Sequence, residues 1–449
     1  MPMRLFLLLL SVLSCVARAA EPPVLFRNAT VITMDGGSVL AKHDLLVQDK
    51  RIARISPTGT APAPAGSTVV DGTGRFLMPG LAEMHAHVPG PEPAGYAEDL
   101  LTLFAAHGIT TIRGTLGQPL HLELRSRIER GELIGPRLFT SGPSINGNTA
   151  PDAATAQRMV REQKAAGYDF LKLHPGLQRD VFDALAATSR AERIPFSGHV
   201  STEVGVAHAL AAKQKAIDHL DGYIQALAEE RCLEGSAPAG FMGVGLAECA
   251  DESRIPELVT ATRDAGTSMV PTQILIEQWA APPTNEALRS RAAYRFLSPA
   301  TIVQWQKARG QFDQASSQAK RFVELRHELL RQMHAAGVPI LLGSDAPQLF
   351  NMPGESTFAE LELYGKIGLS PMDALATGTV NVARFFGQEE RFGRLREGFE
   401  ADLLLLSADP RIDLANVRKL EGVMLRGRWL PRIELDVMLD EIAARQAQR

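Results

Sequence analysis

In the stretch "MPGLAEMHAHV", residues 78–88, His85 and His87 stand two apart where an apolar run stops. Residues two apart in an extended strand point to the same side, so this pair can grip one metal ion together; on a helix the same spacing would turn them apart. Read the same way, the chain offers Lys172 in "DFLKLH", His199 in "IPFSGHV", His219 in "AIDHLDG" and Asp345 in "VPILLGSD", each where an apolar run ends. One such histidine alone is usually a polar residue closing a strand. Their joint occurrence at separate strand ends, with an aspartate on the last, describes a metal centre whose carboxylate can also carry protons. The remaining histidines fall mostly in predicted helices or loops; of these, His107 and His174 could stand behind the ligands.

These residues need a scaffold that brings distant strand ends to one place. From about residue 79 to 388, short apolar strands alternate with Ala-, Glu-, Arg- and Leu-rich helical stretches, and eight strand candidates can be counted, from "LMPGLAEMHAH" through "GITTIRGT", "PRLFTSG" and "TSMVPTQ" to "VPILLGSD". That pattern predicts an α/β fold, a (β/α)8 TIM barrel with its chemistry at the C-terminal ends of the strands. A helical insertion at 275–336, containing Trp279 and Trp305, would be either a lid or extra packing. Residues 21–78 and 389–434 have the texture of short strands between Gly, Asp and Pro turns, which predicts one small β-sandwich module built from both ends of the chain. The tail, 435–449, reads as an amphipathic helix on the surface or at a subunit contact, which leaves a homo-oligomer open.

The chain has 449 residues, 45% of them hydrophobic, enough for a large core and a smaller module. With 47 basic against 51 acidic residues and a net charge of -4, it is not built to neutralise phosphates over a broad face, and nucleic acid is excluded as a partner. The first twenty residues have a basic start at Arg4, an apolar run from Leu5 to Leu13 and small residues at Ala17 and Ala19. They predict a signal peptide over 1–20 and export to the periplasm or beyond, with no integral membrane span after its removal. A lipoprotein anchored through Cys15 is the alternative. In an oxidising compartment Cys232 and Cys249 could pair, contributing about 3 kcal/mol by loop closure; two isolated thiols are the other reading.

The set "HAH", "FLKLH", "SGHV", "DHLDGY" and "GSDAP", together with "SPMDALATGTVNVARFFG" and "GFEADLLLLSADP", resembles the amidohydrolase superfamily over nearly the whole chain after residue 20. The resemblance implies that His85, His87 and Asp345 hold one divalent ion and His199 and His219 a second, with zinc as the metal. It implies that Lys172 bridges them as a carboxylated lysine; an unmodified Lys172 would be a substrate contact or a buried cation. Asp345 would then act as the catalytic acid and base. Tyr223, Arg113 and Asn148 are candidate substrate contacts, although Arg113 is followed by Gly114 and not by the aspartate expected of relatives.

The activity implied is hydrolysis of a carbon-nitrogen bond in a small-molecule amide or short peptide, similar to the family's dipeptidases, prolidases and cyclic-amide hydrolases. A deaminase, or a lactone or ester hydrolase, could use the same centre. A non-catalytic binding protein of the cell envelope is the reading from another class.

Overall fold

Turn residues cut the N-terminal segment into five strands, β1 (Val24–Ile32), β2 (Val39–Gln48), β3 (Arg51–Pro57), β4 (Thr68–Asp71) and β5 (Phe76–Pro79). They belong to a computed structural model that describes residues 21–233, 240–309 and 317–449; the signal-peptide reading of 1–20, with Cys15, lies outside the described residues. β1 is the hub, antiparallel to β2 and parallel to β4 and β5.

The chain then enters seven short parallel strands: β6 (Leu81–Ala86), β7 (Ile109–Gly114), β8 (Arg137–Thr140), β9 (Leu171–Leu173), β10 (Phe196–Gly198), β11 (Ala216–Asp218) and β12 (Ser268–Val270). β6, β7 and β8 form one group and β9 to β12 the other. Isolated parallel bridges link Ser141 to Phe170, Met269 to Ile340 and Ala86 to Ala346, so a circle of eight strand positions closes. This is a TIM-barrel-like arrangement, and its strands, apart from the half-buried β8, are buried along their length because helices cover them. The eighth position, "VPILLGSD", forms bridges but no regular strand. Pro339 has no N–H to give, and the chain at Gly343 runs so close that a Cβ there would meet Val270 Cγ1 at 2.6 Å and His85 N at 2.9 Å.

After the barrel, β13 (Leu403–Leu406), β14 (Leu420–Leu425) and β15 (Arg428–Pro431) return to the first sheet, giving the order β15-β14-β13-β5-β1-β2-β3 with β4 on β1. Both ends of the chain thus share one core: Phe26, Leu45 and Leu77 pack with Phe399, Leu403 and Met424. The pairing runs as one continuous eight-stranded sheet, where the sequence reading expected the two sheets of a sandwich.

Helices Gln273–Ala280, Asn285–Ser290, Pro299–Arg309 and Ser317–Ala335 fill the predicted insertion. Trp305 packs edge-on against Tyr294 and against Phe350, ring centroids 5.8 and 5.7 Å apart, and Gln278 hydrogen-bonds Asn351. The insertion therefore grips the loop that follows Asp345. The C-terminal helix, Arg432–Ala447, spends Leu435, Leu439 and Ile442 on the chain's own core, and Arg445 pairs with Asp99 at 2.8 Å. Cys232 and Cys249 form a disulfide. Among the described residues no helix is long and apolar enough to cross a membrane.

Candidate metal centre

Strand alternation puts Glu83, His85 and His87 on one side of β6, and the closed barrel brings the eighth position alongside. His87 Nε2 lies 2.6 Å and His85 Nε2 3.6 Å from Asp345 Oδ1, and His219 Nδ1 lies 3.8 Å from Asp345 Oδ2. Atoms of His85, His219 and Asp345 all fall within 4.8 Å of one another, a set that could hold one ion. The rings continue outward: His219 is 4.6 Å from His85 and 4.7 Å from His199, and His199 is 5.2 Å from His174.

Below the histidines sits a buried ionic cluster. Asp218 accepts from Lys172 Nζ at 2.6 Å and from Arg113 at 2.5 Å, with His85 Nδ1 3.3 Å away, and Lys172 Nζ also lies 3.4 Å from His85 Nε2. Arg113, Lys172 and Asp218 have no solvent exposure. Other groups fix the ligand backbones and rings. Glu83 accepts from His85 N at 2.9 Å and Ser344 N at 2.8 Å, tying the first strand to the last; Thr272 Oγ1 meets His219 Nδ1 at 2.7 Å, and Asp221 meets His199 Nδ1 at 3.0 Å.

Burial decides the protonation states. His85 is pushed down to about 4, first by burial and then by the Lys172 charge, and burial likewise lowers His219. Burial would raise Asp345, but the surrounding histidines outweigh it and hold this carboxyl well below the usual range. Burial also opposes ionisation of Asp218, and Arg113 and Lys172 overcome it. His85 and His219 are thus neutral imidazoles beside the ionised Asp345 and Asp218, the states that bind a cation.

The amidohydrolase family pattern matches residues 76–430. The chain belongs to the amidohydrolase family. It is a metal-dependent hydrolase acting on carbon-nitrogen bonds. This amidohydrolase is 28% identical over 403 residues to an imidazolonepropionase of Rubrobacter xylanophilus, covering 82% of this chain and 86% of the relative. It is 27% identical over 222 residues to an adenine deaminase of Paracoccus denitrificans, covering 45% of this chain and 36% of that one. A solved structure from Bifidobacterium longum, assigned as a prolidase, superposes with a TM-score of 0.69 at 25% identity, covering 94% of this chain and 99% of that one.

The family implies a divalent metal, and the residues fit one. His85 Nδ1 and Asp345 Oδ1 are buried with the contacts to Asp218 and His87 given above but no well-directed hydrogen bond, and nitrogen and carboxylate donors of His85, His219 and Asp345 lie together. All six residues read as ligands lie in this amidohydrolase's strand-end cluster. The close three-residue set, however, joins His219 to His85 and Asp345, whereas the sequence reading paired His219 with His199.

Three other expectations change. Tyr223 is fully buried with its hydroxyl 2.8 Å from Thr262 Oγ1, which makes it a packing residue and not an exposed carbonyl contact. Arg113 gives its Nε to Met84 O at 2.6 Å and its other end to Asp218, which makes it a counter-charge inside the barrel and not a substrate contact. His107 lies apart from the centre, bonded to Leu103 O and packed on Phe296 and Phe358. Asn148 is exposed in an open cleft of about 600 Å³ that it shares with Leu116, Ser144, Asn146 and His174, next to His199.

Sequence reading missed Glu83, Asp218, Asp221 and Thr272. Glu83 carried a signal, since it shares the alternation of His85 and His87. Asp218 did not: His219 follows it with φ 63°, which breaks the alternation and lets neighbours in sequence both face inward.

Proposed function

We propose that this protein is an exported hydrolase of amide or peptide-like bonds in small molecules or short peptides, similar to dipeptidases and prolidases. The observation that carries the reading is the buried set His85, His219 and Asp345, whose imidazole and carboxylate atoms lie within 4.8 Å of one another. His87 adds a ligand on the same carboxylate. We further propose two zinc ions, the first on His85, His87 and Asp345, the second on His199 and His219, with carboxylated Lys172 between them. The likeness in fold to a prolidase and the run of histidine rings from His85 to His199 support this reading. In the unmodified form Lys172 is paired with Asp218, so carboxylation would leave Asp218 to Arg113.

A divalent metal held by these residues would supply an activated water near neutral pH and a polarised scissile carbonyl. Asp345 receives the attacking water's proton and passes it to the leaving nitrogen; held ionised and almost closed to solvent, it is ready to accept. The cleft at Asn148 and His174, beside His199, gives the substrate its approach. Export is supported by the first twenty residues and by the disulfide.

The test is a metal count on purified protein, followed by assay of a panel of dipeptides, N-acyl amino acids, cyclic amides and lactones, with and without chelator. Metal in the protein and amide hydrolysis lost on chelation are expected; a panel in which only deaminations appear would overturn the assignment. That second reading is favoured by the likeness to adenine deaminases over part of the chain.

A further inference from the structure

Arg326 lies on the insertion helix Ser317–Ala335 and has no solvent exposure. A buried guanidinium ordinarily seeks a carboxylate, yet its hydrogen bonds go to three neutral oxygens: His219 O at 2.5 Å, Pro271 O at 3.0 Å and Gln273 Oε1 at 2.7 Å. The acceptors belong to two adjacent segments, the residue after β11 and the turn after β12. His219 stands at φ 63° directly after β11, and Thr272, which bonds the His219 ring, stands at φ 47° directly after Pro271. A left-handed backbone is uncommon for any residue but glycine, histidine included, and is costly for a β-branched threonine, so the turn at Thr272 above all needs surroundings that over-determine it. His219 N bonds Val270 O at 2.8 Å, and the backbone N–H groups of Gln273 and Ile274 are held by buried Glu360. Arg326 is the group that spans both strained residues, one arm on the carbonyl of the first and one on the carbonyl preceding the second.

We propose that Arg326 is a positioning residue for the metal centre: it locks the backbone of His219 and of the Pro271–Thr272 turn so that the His219 ring faces His85 and Asp345. The inference deepens the metal-centre reading above and rests on it. A planar fork suits the task, because its separate N–H groups reach carbonyls on two strands at once, which an ammonium cannot reproduce in full. It also makes the insertion a part of the centre's construction, since the ligand from the sixth strand is held by a helix that precedes the eighth.

The experiment compares metal-free wild type, Arg326→Gln, Arg326→Lys, Gln273→Ala and His219→Ala, each titrated with Co(II) against a competing chelator, with the visible spectrum recorded alongside thermal melting. Arg326→Gln should bind about 10- to 100-fold more weakly, the usual loss when support behind a ligand is removed, with a changed cobalt spectrum. Arg326→Lys should lie between it and wild type. Gln273→Ala, which removes the third acceptor and a hydrogen bond to Glu277 but leaves both carbonyl contacts of Arg326, should keep wild-type affinity. Wild-type affinity and spectrum in Arg326→Gln overturn the proposal; should that variant not fold, Arg326→Lys decides it, weaker binding supporting the role and wild-type binding ending it. If His219→Ala binds cobalt as tightly as wild type, it is the metal-centre reading that has failed.

Discussion

Two buried cations depend on Asp218. Lys172 and Arg113 are both without solvent exposure and each donates to one of its oxygens. Asp218→Asn leaves two uncompensated charges in the barrel, and breaking a buried pair in this way costs about 3–5 kcal/mol. Urea unfolding of the metal-free variant should show that loss; a variant as stable as wild type would mean the cations find other partners. The histidines predict a pH effect whose sign can be worked out. His85 keeps its proton off down to about 4, while an unfolded histidine takes one near 6.5, so between those values the unfolded chain binds more protons and stability falls as pH falls. Over the full window this amounts to about 3 kcal/mol. Glu83 works the other way: burial raises it to about 7, so it costs stability as pH rises from the ordinary carboxylate range. The measurement must therefore be differential, with urea midpoints of metal-free wild type and His85→Gln at pH 7 and pH 4.5. Wild type should lose more on acidification than the variant, and equal losses would assign the effect elsewhere.

At the scale of elements, the eight strand positions were legible because each is an apolar run closed by a turn, and all eight take their place in the circle. The last was legible as a position and not as a strand. Gly343 explains why that suffices: the chain passes Val270 and the His85 backbone at a distance only glycine allows. Gly343→Ala must push these apart, a strain of about 1–3 kcal/mol, and it should weaken metal binding as well, because Ser344 and Asp345 follow immediately. A lowered melting temperature with unchanged metal affinity would show that the eighth position moves without its ligand. The supports of the centre were harder to read. Arg326 reaches His219 across 107 residues, and His219 and Asp345 both sit at positive φ, so no periodicity in sequence marks which neighbours face inward. The expected sandwich is not confirmed for a related reason: alternating strands show that one face is buried, but not whether the partner strands extend the same sheet or lie across from it.

For the whole molecule the two chain ends are one structure. β13 lies between β5 and β14, pairing with β5 along its full length through Leu403–Pro79 to Leu406–Phe76, so the N-terminal strands have no complete sheet until the C-terminal segment arrives. The joint with the barrel is equally shared. Arg137, on β8, pairs with Glu400 and, at 2.7 Å, with Asp402; Gly80 N, just before β6, bonds Asp402 O at 3.0 Å; Asp402 also accepts from Arg426 N at 2.7 Å. Removing residues 389–449 would therefore expose Phe26, Leu45 and Leu77, strip β5 of β13, one of its two neighbours, and leave Arg137 without its carboxylates. Such an edge is prone to pair with other chains. A chain ending at residue 388 should accordingly be insoluble or be cut rapidly by protease, although every residue read as a metal ligand is still present. A soluble, protease-resistant fragment with the wild-type metal count would show that the barrel stands alone and that the composite sheet is an accessory to it.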